Sequence, residues 1–275
     1  MNDPKMGGKP TINLFLKGHD DLATYLLEED RVNTQISESY NDRFQFNTVV
    51  ESAATADLLW QSLTGIDLPT DLAVHGLDTP AIKAQFASQL VESDADIIAL
   101  TIVPELTQAS WRHNEQGYLL CPPANWQESW TPAQQAWFSE NFTQNALASA
   151  DAYKTKMTEV IQLLKEKTSA HLIMFGSSSF DPGDLTHNLA NKEDTLTMRT
   201  HRLNLVMLEL SFSQGLTFID VDRLLAEEGC ADHVLAAMQY TTQAHESICR
   251  EFMHIIADIG FFEERPLLVQ MGQRS

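Results

Sequence analysis

The stretch Thr11 to Leu27, TINLFLKGHDDLATYLL, decides the fold. Its apolar run, Ile12, Leu14, Phe15 and Leu16, reads as a buried strand; Gly18 can turn the chain, and Asp20 or Asp21 can cap the helix that follows. Strand, tight turn and helix start in that order make the first half of a βα unit. In an α/β sheet this junction lies at the carboxyl edge, where ligands bind and backbone N–H groups gather. The simplest role for the two aspartates is to cap the helix and complement its dipole, worth about 1 kcal/mol. Any further role depends on what the rest of the chain brings to that edge.

Working outward, Phe44 to Val50, FQFNTVV, reads as a second strand, and Ala54 to Leu63 as a helix with Leu58, Leu59 and Leu63 on one side. A loop from Gly65 to Gly76 follows. Thr79-Pro80 then marks a helix start, with Ile82, Phe86 and Leu90 on one face. Ile97 to Val103, IIALTIV, is continuous and β-branched, as a strand covered on both faces should be, and Pro104-Glu105 ends it. Further on come a helix carrying Tyr153, Met157, Val160, Ile161 and Leu164, and the strand HLIMFG at 171–176. A helix from about Thr195 to Ser213, the strand LTFIDV from Leu216 to Val221, and a last helix from Thr242 to just before Gly260 complete the pattern. Strands alternating with helices of this length make βαβ units, so the chain is expected to be an α/β protein with a parallel sheet between two helical layers.

Between the third strand and the next helix the pattern dissolves. Residues 111–142 hold four of the five tryptophans. A long aromatic insertion after a central strand is either a lid over a pocket or a connection packed onto the body. The expected organisation is an N-terminal tail over 1–10, one domain over 11–262 with this insertion, and a tail over 263–275 in which LLVQ could form a short strand.

Composition narrows the functional classes. The 275 residues carry 38 acidic and 18 basic side chains, a net charge of -20 that disfavours nucleic acid and anionic membrane surfaces. The start, MNDPKMGGKP, has no leader pattern, and no apolar run approaches the ~18–20 residues of a spanning helix, so a cytoplasmic protein is expected. Cys121, Cys230 and Cys249 are too few and too irregularly spaced for a disulfide framework or a zinc site. There is no phosphate-binding glycine loop, no HExxH, and no internal repeat. No cofactor or metal is therefore expected. Ser177, Ser178 and Ser179 follow a strand, where a nucleophile could sit, although consecutive serines in a turn more commonly serve as backbone partners.

Several of these segments together resemble the SGNH/GDSL hydrolase superfamily, in particular a bacterial subgroup of it. TLTMRTHRLNLVMLELSFSQGLTFIDVDRLLAEEG looks like that subgroup's helix, strand and DVD turn, and AMQYTTQAHESICREFMHIIADIGFF like its terminal loop and helix. Near the front, LKGHDDL resembles the strand and nucleophile turn, and SAATADLL the second conserved block. The resemblance implies a three-layer α/β/α sandwich, flavodoxin-like, with a five-stranded parallel sheet, and ester or acyl-transfer chemistry. That chemistry needs a serine nucleophile, a histidine base held by an aspartate, and oxyanion donors from a glycine N–H and an asparagine side chain.

Here the residues depart from the pattern. Where Gly-Asp-Ser-Leu is expected the chain reads His19-Asp20-Asp21-Leu22, which puts Asp21 in the serine position. Ala236-Ala237-Met238-Gln239 stands for Asp-x-x-His, Ala53 or Ala54 lies near the glycine, and Pro104-Glu105 stands where the asparagine pair would be. Gln239 cannot take a proton and Ala236 cannot orient a base, so standard serine-esterase activity is not expected.

Three functions remain. The first is a degenerate hydrolase fold that binds an acylated or glycosyl small molecule, or a partner protein, in the former cleft, using residues such as Gly18, His19, Asp20, Ser177 and Gln239. The second is an esterase or acyltransferase with a rebuilt site. In it Asp21 is nucleophile or base, His113 or His187 supplies a second base, and Arg112 stabilises an oxyanion. The third, metal-assisted hydrolysis through Asp20, Asp21 and a loop histidine, requires a sharp backbone bend at Gly18.

Overall fold

The computed structural model describes residues 9–263 except 19, 42, 53 and 183–194. Among the described residues, ten strands are assigned: β1 Thr11–Gly18, β2 Gln45–Ser52, β3 Ile97–Thr101, β4 Trp111–His113, β5 Leu119–Leu120, β6 Phe142–Gln144, β7 His171–Phe175, β8 Thr217–Ile219, β9 Val234–Ala236 and β10 Gln239–Tyr240. Five of them form the central sheet in the order β2-β1-β3-β7-β8. All four pairings are parallel, with Leu14 opposite Ile97 and Ile97 opposite His171. The order reverses beside β1, which makes the carboxyl ends of β1 and β3 the switch point of the sheet. The expected three-layer α/β/α architecture is the one observed.

The pleat divides the core into two layers. Leu14, Leu16, Ala99 and Phe175 face the helices Asp20–Leu26 and Thr242–Asp258, whereas Phe15, Ile98, Leu100 and Met174 face Ala56–Thr64, Ala150–Lys167 and Leu196–Gln214. Successive strand residues point to opposite faces, so Lys17 stands on the Phe15 side and Thr101 on the Ala99 side. That split decides what happens at the carboxyl edge.

Four of these helices start at a hydroxyl cap. Thr55, Ser149, Thr195 and Thr241 each accept a hydrogen bond from the backbone N–H three residues on. Thr79 does the same, but its helix covers only Pro80–Lys83, far short of Leu90. Tertiary bonds win there: Ser88 Oγ and the Gln89 N–H both donate to Glu51, and the Gln85 side chain pairs with the backbone of Cys121. The strand expected through Val103 stops at Thr101, whose Oγ1 accepts from the Val103 N–H and turns the chain into the helix Val103–Thr107.

The segment after β3 is structured. Strands β5-β4-β6 form a small antiparallel sheet, and with the helices Trp126–Ser129 and Pro132–Asn141 they enclose a third apolar cluster containing Phe86, Tyr118, Leu120, Phe138 and Phe142. LLVQ lies outside the described residues. No helix among the described residues is long and apolar enough to cross a membrane.

Candidate functional site

The turn after β1 is built by close packing. A Cβ on Gly18 would lie 2.4 Å from Leu22 Cδ1 and 2.8 Å from its Cβ, so only glycine lets the first helix start this near the strand. That helix begins at Asp20, which puts Asp21 inside its first turn. The carboxylate of Asp21 is buried and accepts from Thr101 Oγ1 at 2.8 Å.

Around this pair the edge is filled. Tyr25 stacks on Tyr240 with ring centroids 5.9 Å apart, and His245 lies 5.4 Å from Tyr25. Burial, reinforced by Arg31, holds the His245 imidazole below its ordinary pKa. The Tyr240 hydroxyl accepts from the Ser178 N–H at 2.8 Å and shares a 3.0 Å hydrogen bond with Ser177 Oγ. Burial pushes this phenol up to about 12. Asn204 clamps Ser177 at both backbone groups, and Asp222 accepts from the Ser179 N–H and hydroxyl at 2.8 Å each. Ser177 is 0% exposed. The three serines are partners of Tyr240, Asn204 and Asp222, as consecutive serines in a turn usually are.

The other sequence candidates lie apart from Asp21 or outside the described residues. His113 sits in β4 among the rings of Tyr118, Trp137 and Phe142. Its Nδ1 accepts from the Glu115 and Gln116 N–H groups, and Nε2 lies 3.4 Å from Asp71. These contacts all belong to the insertion and the segment beneath it, and none of them is with Asp21. Arg112, exposed on β4, donates to the Gly117 carbonyl. Ala236 and Gln239 pair in the β9–β10 hairpin, which turns through Met238 at φ 58°, with Gln239 exposed. His19, Ala53 and His187 fall outside the described residues.

On the other face of the sheet the edge is open. A cavity of about 630 Å³ lies between the ends of β1 and β2 and the aromatic insertion, walled by Trp111, Trp126, Pro122 and Ala84 and floored by Lys17 and Ser52. Lys17 is 3% exposed, and its Nζ donates to Glu51 Oε2 at 2.6 Å. Burial lowers its pKa, against the opposing pull of Glu51. A second cavity of about 280 Å³ is polar, lined by Glu105, Asp57, Arg112, Arg199 and Asn145. Gln108 lines both, and its Oε1 is buried with no hydrogen-bond partner among the described residues. Trp111 and Arg112, adjacent in β4, point into different cavities as strand alternation requires.

Glu105 deserves its place among the candidates. Its Oε1 accepts from the Ala56 N–H at 2.5 Å, joining the end of β3 to the block after β2. Burial drives its carboxyl up to about 7, the Asp57 charge adds to this, and the Ala56 bond and Arg199 oppose it. Sequence reasoning missed Thr101, Tyr240, Lys17 and Gln108. No group of three His, Cys, Asp or Glu side chains among the described residues could hold a metal ion.

A parallel five-stranded sheet between helices, with a cleft over the carboxyl ends of β1 and β2, defines a three-layer α/β/α protein. Among solved structures, the chain is similar to a GDSL-like lipase from Parabacteroides merdae (8% identity, 92% of this chain and 99% of that one, TM-score 0.50). It is also similar to a catalytic variant of an acetylxylan esterase from Geobacillus stearothermophilus (11%, 94% and 97%, 0.49) and to a lipolytic G-D-S-L family member from Veillonella parvula (10%, 90% and 98%, 0.46). The likeness is one of fold: this chain has the SGNH/GDSL hydrolase fold. No family model matches the sequence, and no curated protein matches it.

Proposed function

We propose that this protein binds a small amphipathic molecule, an acylated or glycosyl compound, in the cleft between the carboxyl edge of the sheet and the insertion, and that it lacks the serine-esterase triad of its fold. The observation that carries the proposal is the division of the edge. Asp21, which the resemblance puts in the position of the nucleophile, is held by Thr101 on the packed side, and it lines neither of the two cavities. No histidine lines them either. An acyl nucleophile must touch the space its substrate enters and have a base within hydrogen-bond reach. The larger cavity has the size and the apolar walls of a small-molecule site, and the smaller one offers arginine, asparagine and carboxylate groups to a polar end.

The competing reading, an esterase rebuilt on Asp21 and a loop histidine, predicts turnover. Incubation with p-nitrophenyl acetate and with a fluorophosphonate probe is expected to give no hydrolysis above that of the Asp21→Asn variant and no covalent label. Hydrolysis that disappears in Asp21→Asn while the melting temperature holds would replace binding with catalysis.

A further inference from the structure

Lys17 is the only charged side chain lining the larger cavity among the described residues. An ammonium has three N–H donors. One meets Glu51, and no partner for the other two is found among the described residues. Glu51 is better served: besides Lys17 it accepts from Ser88 Oγ at 2.6 Å and from the Gln89 N–H at 3.1 Å, so its charge is spread over three donors from two parts of the chain. The result is a fixed cation, held at the floor of a largely apolar space, with donors left over. Burying such a group is costly unless those donors are met, and charge-assisted partners meet them best.

We propose that Lys17 holds the carboxylate of an otherwise apolar molecule whose body lies along Trp111, Trp126 and Pro122; this rests on the cleft-binding reading above and names the ligand class for it. A monoanion is the smallest charge that can use these donors. The Lys17–Glu51 pair offers one ammonium beside one carboxylate, and the cavity holds no arginine to neutralise a phosphate dianion. The net charge of -20 repels anions at long range, so affinity comes from this contact and from apolar burial. The lowered proton affinity of Lys17 agrees with an ammonium short of solvation.

Octanoate and 1-octanol are the probes, titrated calorimetrically into the full chain. Octanoate is expected to bind the native protein at least tenfold more tightly than it binds Lys17→Met, with 1-octanol indifferent to the substitution. Lys17→Met strands Glu51, so the double variant Lys17→Met/Glu51→Gln, which removes both charges, is measured alongside and is expected to show the same tenfold loss with a native-like melting temperature. Ala84→Trp fills the cavity without touching a charge and is expected to abolish octanoate binding. Equal affinities of native protein and double variant for octanoate, no octanoate binding to the native protein, or binding that survives Ala84→Trp would each overturn the assignment. Ester hydrolysis, the outcome that defeats the cleft-binding reading, is scored separately and does not depend on Lys17.

Discussion

The two sides of one sheet edge have opposite fates in this protein. On the Asp21 side, Thr101 answers Asp21 and Tyr240 answers Ser177 and Ser178. On the Lys17 side, an ammonium and a glutamine keep unused hydrogen-bonding capacity beside open space. Both sides contain charged groups and both lie at the switch point, so neither charge nor place in the fold distinguishes them. What distinguishes them is access: Tyr25 Oη and His245 Nδ1 on the Asp21 side are also buried without a hydrogen-bond partner among the described residues, but they line neither cavity, whereas Lys17 and Gln108 border space that a molecule can enter. Buried polar groups without partners are costly, and they persist where something else meets them.

The comparison can be broken most severely at Gly18. Gly18→Ala should cost about 3 kcal/mol in a denaturant melt, because Leu22 Cβ as well as its tip would have to move. A loss of under about 1 kcal/mol would mean that the packed side yields easily and that its closure is not a property of the turn.

Glu105 sharpens the contrast from the open side. Its carboxyl titrates near 7 in the folded protein against an ordinary 4.5, so the native state holds this proton more tightly than the unfolded chain does. The stabilisation is therefore fully present below about pH 4.5 and is lost as the pH rises through about 7, a change of up to roughly 3 kcal/mol. Glu105→Gln keeps an oxygen for the Ala56 N–H and removes the charge. Melts from pH 5 to 8 should show a flatter profile for the variant and a higher melting temperature than the native protein at pH 8. Parallel profiles would show that Glu105 is not the group responsible.

The smallest effect is expected at Tyr240. Tyr240→Phe removes the hydroxyl shared by Ser177 and Ser178 and should cost about 1–2 kcal/mol while leaving octanoate affinity unchanged. A change in affinity would mean that the two sides are coupled through the sheet.

Much of the fold was legible because β1, β3 and β7 are apolar runs and the longer helices carry apolar stripes; of the Ser and Thr caps only Thr79 was read, and five more, among them Thr55 and Ser149, are seen in the structure. The helix Arg31–Tyr40 was not, since its sequence RVNTQISESY buries only Arg31, Val32 and Ile36 and gives too short a stripe. Strands of two or three residues in the insertion have no period to read. Of the site, the position of Asp21 at the carboxyl edge followed from the strand and turn alone. Its partner did not, because Thr101 lies 80 residues away and only sheet order joins them. Lys17 left a signal that went unused: a charged residue at the end of an otherwise apolar strand is either exposed or paired, and the pairing with Glu51 comes from the parallel register of β1 and β2.

The insertion has an optical consequence. Trp111, Trp126, Trp130 and Trp137 all belong to it, and the fifth indole, Trp60, lies outside it with the Lys156 ammonium 4.2 Å above its ring. Near-ultraviolet emission therefore reports almost wholly on the roof of the cleft, while far-ultraviolet dichroism follows the helices and sheet below. One sample in one cuvette can register the two structures separately, without any label.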